Sequence, residues 1–418
     1  MEQILVGGRP HATITVNYYP LVGGGALNTD GQMISAYGVL KELRVVYDQA
    51  PTGVKTYVAT VYLNGGATGL AVTTVGTDTA GSNMETRLKV KPGDYVQLRF
   101  QTSGTPTLPT AIWSSVFESQ YPKHSLLPCG QTYGLLATAG TRYAGLAQGS
   151  TWSSVRAART SVVSASGIIR NLYISLNGSP GASNSFTFTV WKNGAAQALS
   201  VQIAGAAQTT GNDCTDANVV SVVPGDLISF ACVTVVGGGA IPAGIDAKWG
   251  CLFIANKDGE SLLLGGSENS ATDGNATTWY YVVNSGNATA QQVSDALSKR
   301  LTRRCRLSDL YVCSSAAAGA AKAWTFTLQR NGASELLSAQ MANPAVSASD
   351  TTHMTECYTD DTLDMMIVNT GAIVAGAYAG WGLKMYVQPK KNLYLPEYRI
   401  EHMDPGLGLK RHPRSRAY

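Results

Sequence analysis

Side chains that could bind a metal or transfer a proton are few and scattered in this chain. The histidines are His11, His124, His353, His402 and His412. None has a second ligand at a metal-binding spacing. The nearest approach is Asp350-Thr351-Thr352-His353, in a Thr/Ser-rich stretch that we interpret as solvated polar surface. With no nucleophile elbow, phosphate-binding loop or zinc motif, the sequence predicts no catalytic residue, no metal site, no cofactor and no enzyme activity.

Acidic residues occur in turn motifs rather than in pairs. Pro92-Gly93-Asp94 and Pro224-Gly225-Asp226 each stand directly before an alternating segment, a position typical of a turn. Glycoside cleavage needs two carboxylates about 5 to 10 Å apart, and the sparse acids of this chain give no obvious pair. The neighbouring Asp360 and Asp361 lack the other oxygen ligands of a calcium site. A polysaccharide-cleaving enzyme is therefore disfavoured, and the aspartates are expected to shape turns.

A small group of aromatic residues allows a second hypothesis. Aromatic rings can stack on sugars, and the candidate glycan contacts are Trp152, Trp279, Tyr280 and Tyr281. Trp and Tyr are also enriched in domain packing and at subunit interfaces. Burial in packing is the favoured interpretation, and glycan binding is the alternative.

The last 30 residues differ from the rest of the chain. The net charge of +4 is carried by residues 389–418, which leaves a neutral body. This segment is expected to be a flexible arm when alone and to dock on an acidic partner surface. Its predicted docking residues are Lys390, Lys391, Leu393, Tyr394, Tyr398, Arg399, Lys410, Arg411, Arg414 and Arg416. Nucleic acid is a disfavoured partner, because the basic residues are interspersed with acids.

The composition favours a β-rich structure without disulfides. Charged residues make up 14% of the chain, well below the roughly 25% of an average protein. The seven cysteines form no Cys-x-x-Cys pair, so free thiols are expected. No apolar run reaches the roughly 18 residues of a membrane span. The N-terminus has no basic flank or long apolar stretch, so synthesis in the cytosol without a signal peptide is expected.

The sequence repeats itself three times. The dipeptides Asn64-Gly65, Asn193-Gly194 and Asn331-Gly332 lie 129 and 138 residues apart. The strand-like segments LKELRVVY, IRNLYISL and LSDLYVCS, which begin at positions 40, 169 and 307, show the same two spacings. Each copy closes on Trp113, Trp249 or Trp381. A period this long indicates a domain repeat, and we divide the chain into 1–120, 121–258 and 259–388, followed by the arm 389–418.

Each repeat alternates as β-strands do. In SFTFTVWKNG, Phe186, Phe188 and Val190 share one face, and Asn193-Gly194 predicts a type I′ hairpin turn. We expect eight to ten short strands per repeat. The segment 290–301 could be an amphipathic helix, but its counterpart 151–163 looks more like a strand, which favours a strand in both.

The order of these motifs resembles a known family. A strand such as IRNLYISL is followed by SFTFTVWKNG, a Thr/Asp-rich loop, VVPGDLISF and a closing AKWGCLFIA. This order resembles the jelly-roll domains of the tumour-necrosis-factor and complement-globular-head type, which are widespread in structural proteins of tailed bacteriophages. The resemblance covers most of residues 1–388, although the first repeat departs in LNGGATG and the third loses Pro-Gly-Asp. It implies an all-β fold of three tandem antiparallel jelly-roll or β-sandwich domains plus an extended C-terminal arm.

The same resemblance implies a virion structural protein made in the host cytoplasm. The expected role is a capsid-surface decoration protein, head fibre or similar attachment that binds neighbouring capsid, neck or tail subunits, with no membrane partner. The alternative is a tail-associated receptor-binding or adaptor protein that contacts host surface glycans. Relatives with this fold usually assemble as trimers around a threefold axis, which the resemblance implies here. A chain with three copies can form the trimer within itself, as a pseudo-trimer, or string its domains outward and trimerise as a whole, and the sequence leaves both open.

Overall fold

The described part of the chain is built almost entirely from antiparallel strands. The computed structural model describes residues 1–9, 17–23, 31–107, 109–130, 139–149, 152–267, 278–282, 299–370 and 377–388. These residues confirm the all-β prediction. Residues Met1–Val387 form one compact unit. The predicted docking arm, residues 389–418, lies outside the described residues.

The strands fall into three groups that coincide with the three repeats. The first group is β1 (Glu2–Arg9), β2 (Tyr18–Tyr19), β3 (Gln32–Met33), β4 (Gly38–Tyr47), β5 (Thr56–Leu63), β6 (Gly66–Val75), β7 (Ala80–Val90), β8 (Tyr95–Ser103) and β9 (Ala111–Ser119). The third group is β21 (Glu260–Gly266), β22 (Thr278–Val282), β23 (Lys299–Arg300), β24 (Cys305–Ser314), β25 (Ala323–Arg330), β26 (Ala333–Ala342), β27 (Ser347–Cys357), β28 (Thr362–Asn369) and β29 (Ala379–Val387).

The second group has additional short elements. It is made of β10 (His124–Gly130), β11 (Gly140–Ala144), β12 (Gln148–Gly149), the 3-10 helix η1 (Arg156–Arg159), β13 (Ser161–Val162), β14 (Gly167–Leu176), β15 (Gly181–Lys192), β16 (Ala195–Gly205), β17 (Thr210–Asp213), β18 (Val220–Val222), β19 (Leu227–Val235) and β20 (Ala247–Ala255). Whether the three groups are separate domains, with the predicted boundaries, stays a prediction.

Each group contains two sheets with the same strand order. In the first group the sheets run β1-β9-β4-β7 and β2-β8-β5-β6, with β3 paired to β8. The third group repeats this as β21-β29-β24-β27 and β22-β28-β25-β26, and the second as β10-β20-β14-β17 and β11-β19-β15-β16. In each group the first long strand of the chain pairs with the last, and the strands between them in the sequence form further antiparallel pairs. This nested antiparallel pairing gives each group a jelly-roll-like sandwich.

Local sequence explains the hairpins. Phe186, Phe188 and Val190 of β15 are fully buried, as the alternation predicts. Asn193 and Gly194 have φ values of 50° and 85°, which confirms the two positive-φ positions of a type I′ turn. The equivalent Asn and Gly residues of the other repeats share this conformation.

One sequence-based expectation needs correction. The segment 151–163 was expected to be a strand, but its described part contains η1; Ser161–Val162 pairs with β19, and Ser153 forms an isolated bridge with Tyr143. The guanidinium of Arg156, the first residue of η1, lies over the ring of Trp191 and donates to the carbonyl of Gly194. Of the ambiguous segment 290–301, Lys299–Arg300 is a strand and residues 290–298 lie outside the described residues.

Strands β1, β10 and β21 each contribute side chains to two cores. Side chains alternate along a strand, so Leu5 faces the core of its own repeat, whereas Ile4 and Val6 lie in the core of the third repeat. Leu262 and Leu264 of β21 likewise enter the core of the second repeat. The core of the first repeat receives residues from the second, namely Leu126 of β10 and Leu252 of β20. Apolar side chains of the first repeat thus enter the core of the third, those of the third enter the core of the second, and those of the second enter the core of the first. The three repeats therefore pack in a closed cycle.

Close backbone contacts reinforce the three seams between repeats. β3 packs on β20, β13 on β29 and β23 on β9, so equivalent strands are used each time. A Cβ atom at Gly250 would collide with the carbonyl oxygen of Met33, and one at Gly382 would collide with that of Val162. Glycine is therefore needed after Trp249 and Trp381 because a neighbouring repeat's backbone occupies the side-chain position.

We expect Gly382→Ala to destabilise the protein by about 1 to 3 kcal/mol, because the new methyl group overpacks the seam between the second and third repeats. The measurement is equilibrium denaturation followed by tryptophan fluorescence. Gly178→Ala is the matched control: its Cβ would meet only the Ile245 side chain at 3.6 Å, so it should change stability by less than about 0.5 kcal/mol. Equal losses of stability for the two substitutions would contradict the close backbone packing at this seam.

Candidate functional site

The Asn and Asp motifs of each repeat form one hydrogen-bonded clamp. In the second repeat the side-chain amide of Asn193 donates to Asp226 Oδ1 (2.7 Å), and the other oxygen of Asp226 accepts from the amide N–H of Val223 (2.9 Å). The Oδ1 atom of Asn193 accepts from the N–H of Leu227 (2.8 Å). The first repeat builds the same clamp from Asn64 and Asp94. The prediction that these aspartates shape turns is confirmed.

The third repeat keeps the clamp despite its altered motif. Asp361 accepts from Asn331 (2.7 Å) and from the N–H of Tyr358 (2.7 Å). Asp360 stands where the other repeats have Gly93 and Gly225 and shares their positive φ, at 74°. Burial by itself would raise the pKa of Asp361, but hydrogen bonds from Tyr358, Asn331 and Arg330 outweigh it, so the pKa lies below its ordinary value.

The Asp350–His353 pair lies within β27, at an irregularity in its pairing with β24. Asp350 accepts hydrogen bonds from the backbone N–H groups of Ser338 and Thr352 (both 3.0 Å), and His353 Nδ1 lies 2.9 Å from Asp350 Oδ2. Burial would raise the pKa of Asp350, but these hydrogen bonds lower it below its ordinary value. Within the described ranges, no group of three His, Cys, Asp or Glu side chains is arranged to hold a metal ion.

The cysteines are free, as expected from their spacing. Six of the seven are buried and Cys214 is exposed. Burial raises the pKa of the Cys313 thiol to about 12, which suppresses the thiolate that nucleophilic chemistry would need.

Of the four candidate glycan-contact residues, only Trp152 has a described side chain. Trp152 is half-buried, and its ring packs on Trp249 (5.4 Å between centroids), Phe230 and Phe188 inside the second repeat. The other three, Trp279, Tyr280 and Tyr281, belong to β22, and their side chains lie outside the described residues. Packing accounts for Trp152, and glycan contact by the others stays a hypothesis.

The start of the chain, both links between repeats and the last strand end meet at one end of the body. We call it the junction end and define it by Met1, residues 120–123 and 256–259, and Val387. The Ser119 N–H donates to the Met1 carbonyl (2.7 Å), and the Gly259 N–H donates to that of Pro122 (3.1 Å). Strand β29 reaches this end because Tyr386 is paired with Glu260.

The exposed aromatic residues of the described chain all lie at the junction end. They are Tyr37 (55% exposed), Tyr121 (49%) and Tyr358 (49%). Tyr37 accepts a backbone hydrogen bond from Gln120, and Tyr358 directly follows the residue paired with Cys305 at the start of β24. Exposed valines lie at both ends: Val54, Val235 and Val346 are at the opposite end, whereas Val223 is at the junction end, because Val222 pairs with Gly167 beside Ala255. Tyrosine is enriched in protein interfaces, so the junction end has the composition of a docking surface.

Sequence reasoning missed these tyrosines. The residues equivalent to Tyr37 in the other repeats are Ser166 and Arg304. A position that is aromatic in one copy and polar in the others signals an exposed site, because a core position would keep its apolar character.

Comparisons with known proteins add no family. No protein-family model matches the chain, and no curated protein sequence matches it. Among the described residues, no helix is long and apolar enough to cross a membrane.

We expect Asp361→Ala to cost about 2 to 3 kcal/mol of stability at pH 7, because Asn331 and the N–H of Tyr358 lose their acceptor. Because its folded-state pKa is lowered, Asp361 stabilises the fold above its unfolded pKa of about 3.9, and this contribution is lost as the pH falls through the folded value. The difference in the free energy of unfolding between wild type and variant should therefore become smaller below about pH 4. Denaturation across pH tests this, with Asp216→Ala, whose side chain is 89% exposed, as the control expected to change stability by less than about 1 kcal/mol. A stability difference between wild type and Asp361→Ala that does not change with pH would contradict a charged Asp361 in the clamp.

Proposed function

We propose that this chain is a bacteriophage virion structural protein, attached to the particle surface as a capsid decoration protein, head fibre or similar subunit. It acts by binding neighbouring virion proteins, without turnover. The observation that carries the proposal is the closed cycle of packing among three jelly-roll-like repeats, with both chain links and the final strand at one end. Such a body suits display, because one end is left free while the other carries the connections.

The cyclic packing supports the pseudo-trimer over the extended string. Ile4 and Val6, at the start of the chain, lie in the core of the last repeat, which a linear string of domains would not allow. In this proposal a single chain takes the place that three subunits occupy in related folds. A trimer of whole chains, the other arrangement that the sequence leaves open, is then unnecessary for a threefold arrangement.

The junction end is proposed to face the particle. Val387, the last residue of β29, lies at the same end as the three exposed tyrosines, and the segment 389–418 follows it in the sequence after Gln388. The predicted docking arm and the tyrosine surface would then bind one partner together. The basic residues of the arm favour an acidic partner surface.

The alternative remains a tail-associated receptor-binding or adaptor protein that contacts host glycans. It places the functional residues in β22, at Trp279, Tyr280 and Tyr281. The partner-docking proposal is preferred because Trp152 is engaged in core packing.

Removal of the arm tests the proposal. The full chain and a chain that ends at Gln388 would be mixed with particles that lack the protein, and bound protein would be measured after sedimentation. We expect the shortened chain to keep its circular dichroism spectrum and unfolding temperature but to lose at least tenfold in affinity. Undiminished binding by the shortened chain would contradict the role of the arm.

Substitution of the junction-end tyrosines tests which end faces the particle. The triple variant Tyr37→Ser, Tyr121→Ser and Tyr358→Ser should bind particles at least tenfold more weakly, because tyrosines at an interface contribute disproportionately to affinity. The control is Val54→Ser, Val235→Ser and Val346→Ser at the opposite end. If the valine variant alone loses binding, the orientation is reversed.

A further inference from the structure

The seam between the third and first repeats contains a buried cluster of charged side chains. Arg303, which follows β23, donates from Nε to Glu42 (2.6 Å) and from Nη1 to Glu2. Lys41 donates to Glu2 (2.6 Å) and to Glu118 (2.7 Å). Arg87 completes the cluster by pairing with Glu118. Three carboxylates thus meet three cations, and residues 261 positions apart in the chain are joined.

The centre of this cluster is shielded from water. The side chains of Arg303 and Glu42 are 7% and 3% exposed, and that of Lys41 is 7% exposed. Burial by itself would lower the pKa of Arg303, but its hydrogen bonds to Glu42 and the nearby Glu2 raise it, so the guanidinium stays charged. A buried charge that loses its partner is strongly unfavourable. Packing of the first repeat is therefore favourable only against a repeat that supplies a cation at the position of Arg303.

The other two seams have different residues at the equivalent positions. Where the third repeat has Arg303, the first and second repeats have the buried alanines Ala36 and Ala165. The position of Glu42 is taken by Asn171 and by Asp309, and all three residues have positive φ in a strand irregularity. Asp309 pairs with Lys384 of its own repeat (2.7 Å). Among pairs of described residues, every ion pair between different repeats lies at the third–first seam, including Arg44–Asp360 (3.1 Å).

We propose that this ion cluster is a register-setting interaction surface, which selects the third repeat as the only partner of the first. The apolar contacts of the three seams are alike, because equivalent strands pack at each one. Apolar packing alone would let the first repeat close on the wrong copy. Arg303 opposite Glu42 makes the correct pairing neutral, whereas an alanine opposite Glu42 would leave a buried carboxylate without its cation.

The cluster also accounts for closure within one chain. A chain that fails to close exposes Ile4 and Val6, which are buried in the third repeat. Two open chains can then exchange their terminal repeats and associate. The partner is the surface of a third repeat that carries Arg303. In the closed state the same chain supplies this surface.

Charge reversal in the full-length chain tests the proposal by light scattering coupled to size exclusion. Arg303→Glu and Glu42→Arg should each shift the protein from the wild-type mass to larger species, because like charges then meet at the seam. When the two variants are produced together with different tags, they should form a one-to-one complex, since exchanged repeats restore opposite charges. The chain that carries both substitutions should regain most of the wild-type mass.

The matched control reverses a pair that lies within one repeat. Lys384→Glu and Asp309→Lys alter the pair at the position equivalent to Glu42 without crossing a seam. These variants should lower the unfolding temperature and leave the mass unchanged. Wild-type mass for both single reversals at the seam, or the same mass change in the control, would overturn the proposal.

A milder substitution covers the case in which the reversed chains fail to fold. Glu42→Gln keeps the shape of the side chain and removes its charge. Amide hydrogen exchange should then accelerate at least tenfold in β1 and β23 and stay unchanged in β10 and β13, which belong to other seams. Acceleration spread equally over all three seams would overturn the register-setting role.

Discussion

The structure depends on one constraint: the first long strand of each repeat has two faces that are buried in two different cores. A strand in a two-layer sandwich normally has one face in the core and the other in solvent. In β1, Leu5 packs into its own repeat while Ile4 and Val6 pack into the third. Because β10 and β21 do the same with other neighbours, no repeat completes its core alone. The cycle therefore closes only when all three repeats are in place.

Much of the fold can be predicted from local patterns. The alternation of Phe186, Phe188 and Val190 and the Asn-Gly turns follow directly from backbone geometry, and the shared register reveals the repeats. The partners across seams cannot be predicted in this way. The sequence ILVGG shows that both faces of β1 are apolar, but alternation cannot say which core receives Ile4. The pairing of Glu42 with Arg303 joins distant residues and depends on the closed cycle itself.

The repeats share their architecture and differ where specificity is needed. The Asn–Asp clamp recurs three times with nearly identical distances, because it links the same two turns in each jelly-roll-like sandwich. Tyr37 and Arg303 instead occupy positions that the other copies fill with other residue types. In the proposed role, the shared residues build a rigid body, and the individual ones decide how it closes and which end binds a partner.

The central claim is that a single chain closes its three repeats into a cycle. Small-angle X-ray scattering on the full chain, with the mass measured on the same eluting peak, tests it most directly. A closed chain predicts a monomeric mass and a radius of gyration close to the roughly 22 Å of a compact chain of this length, whereas three domains of about 14 Å each, strung in a row, would exceed about 30 Å. A monomer near the compact value would support the cycle. A monomer above about 30 Å would contradict it.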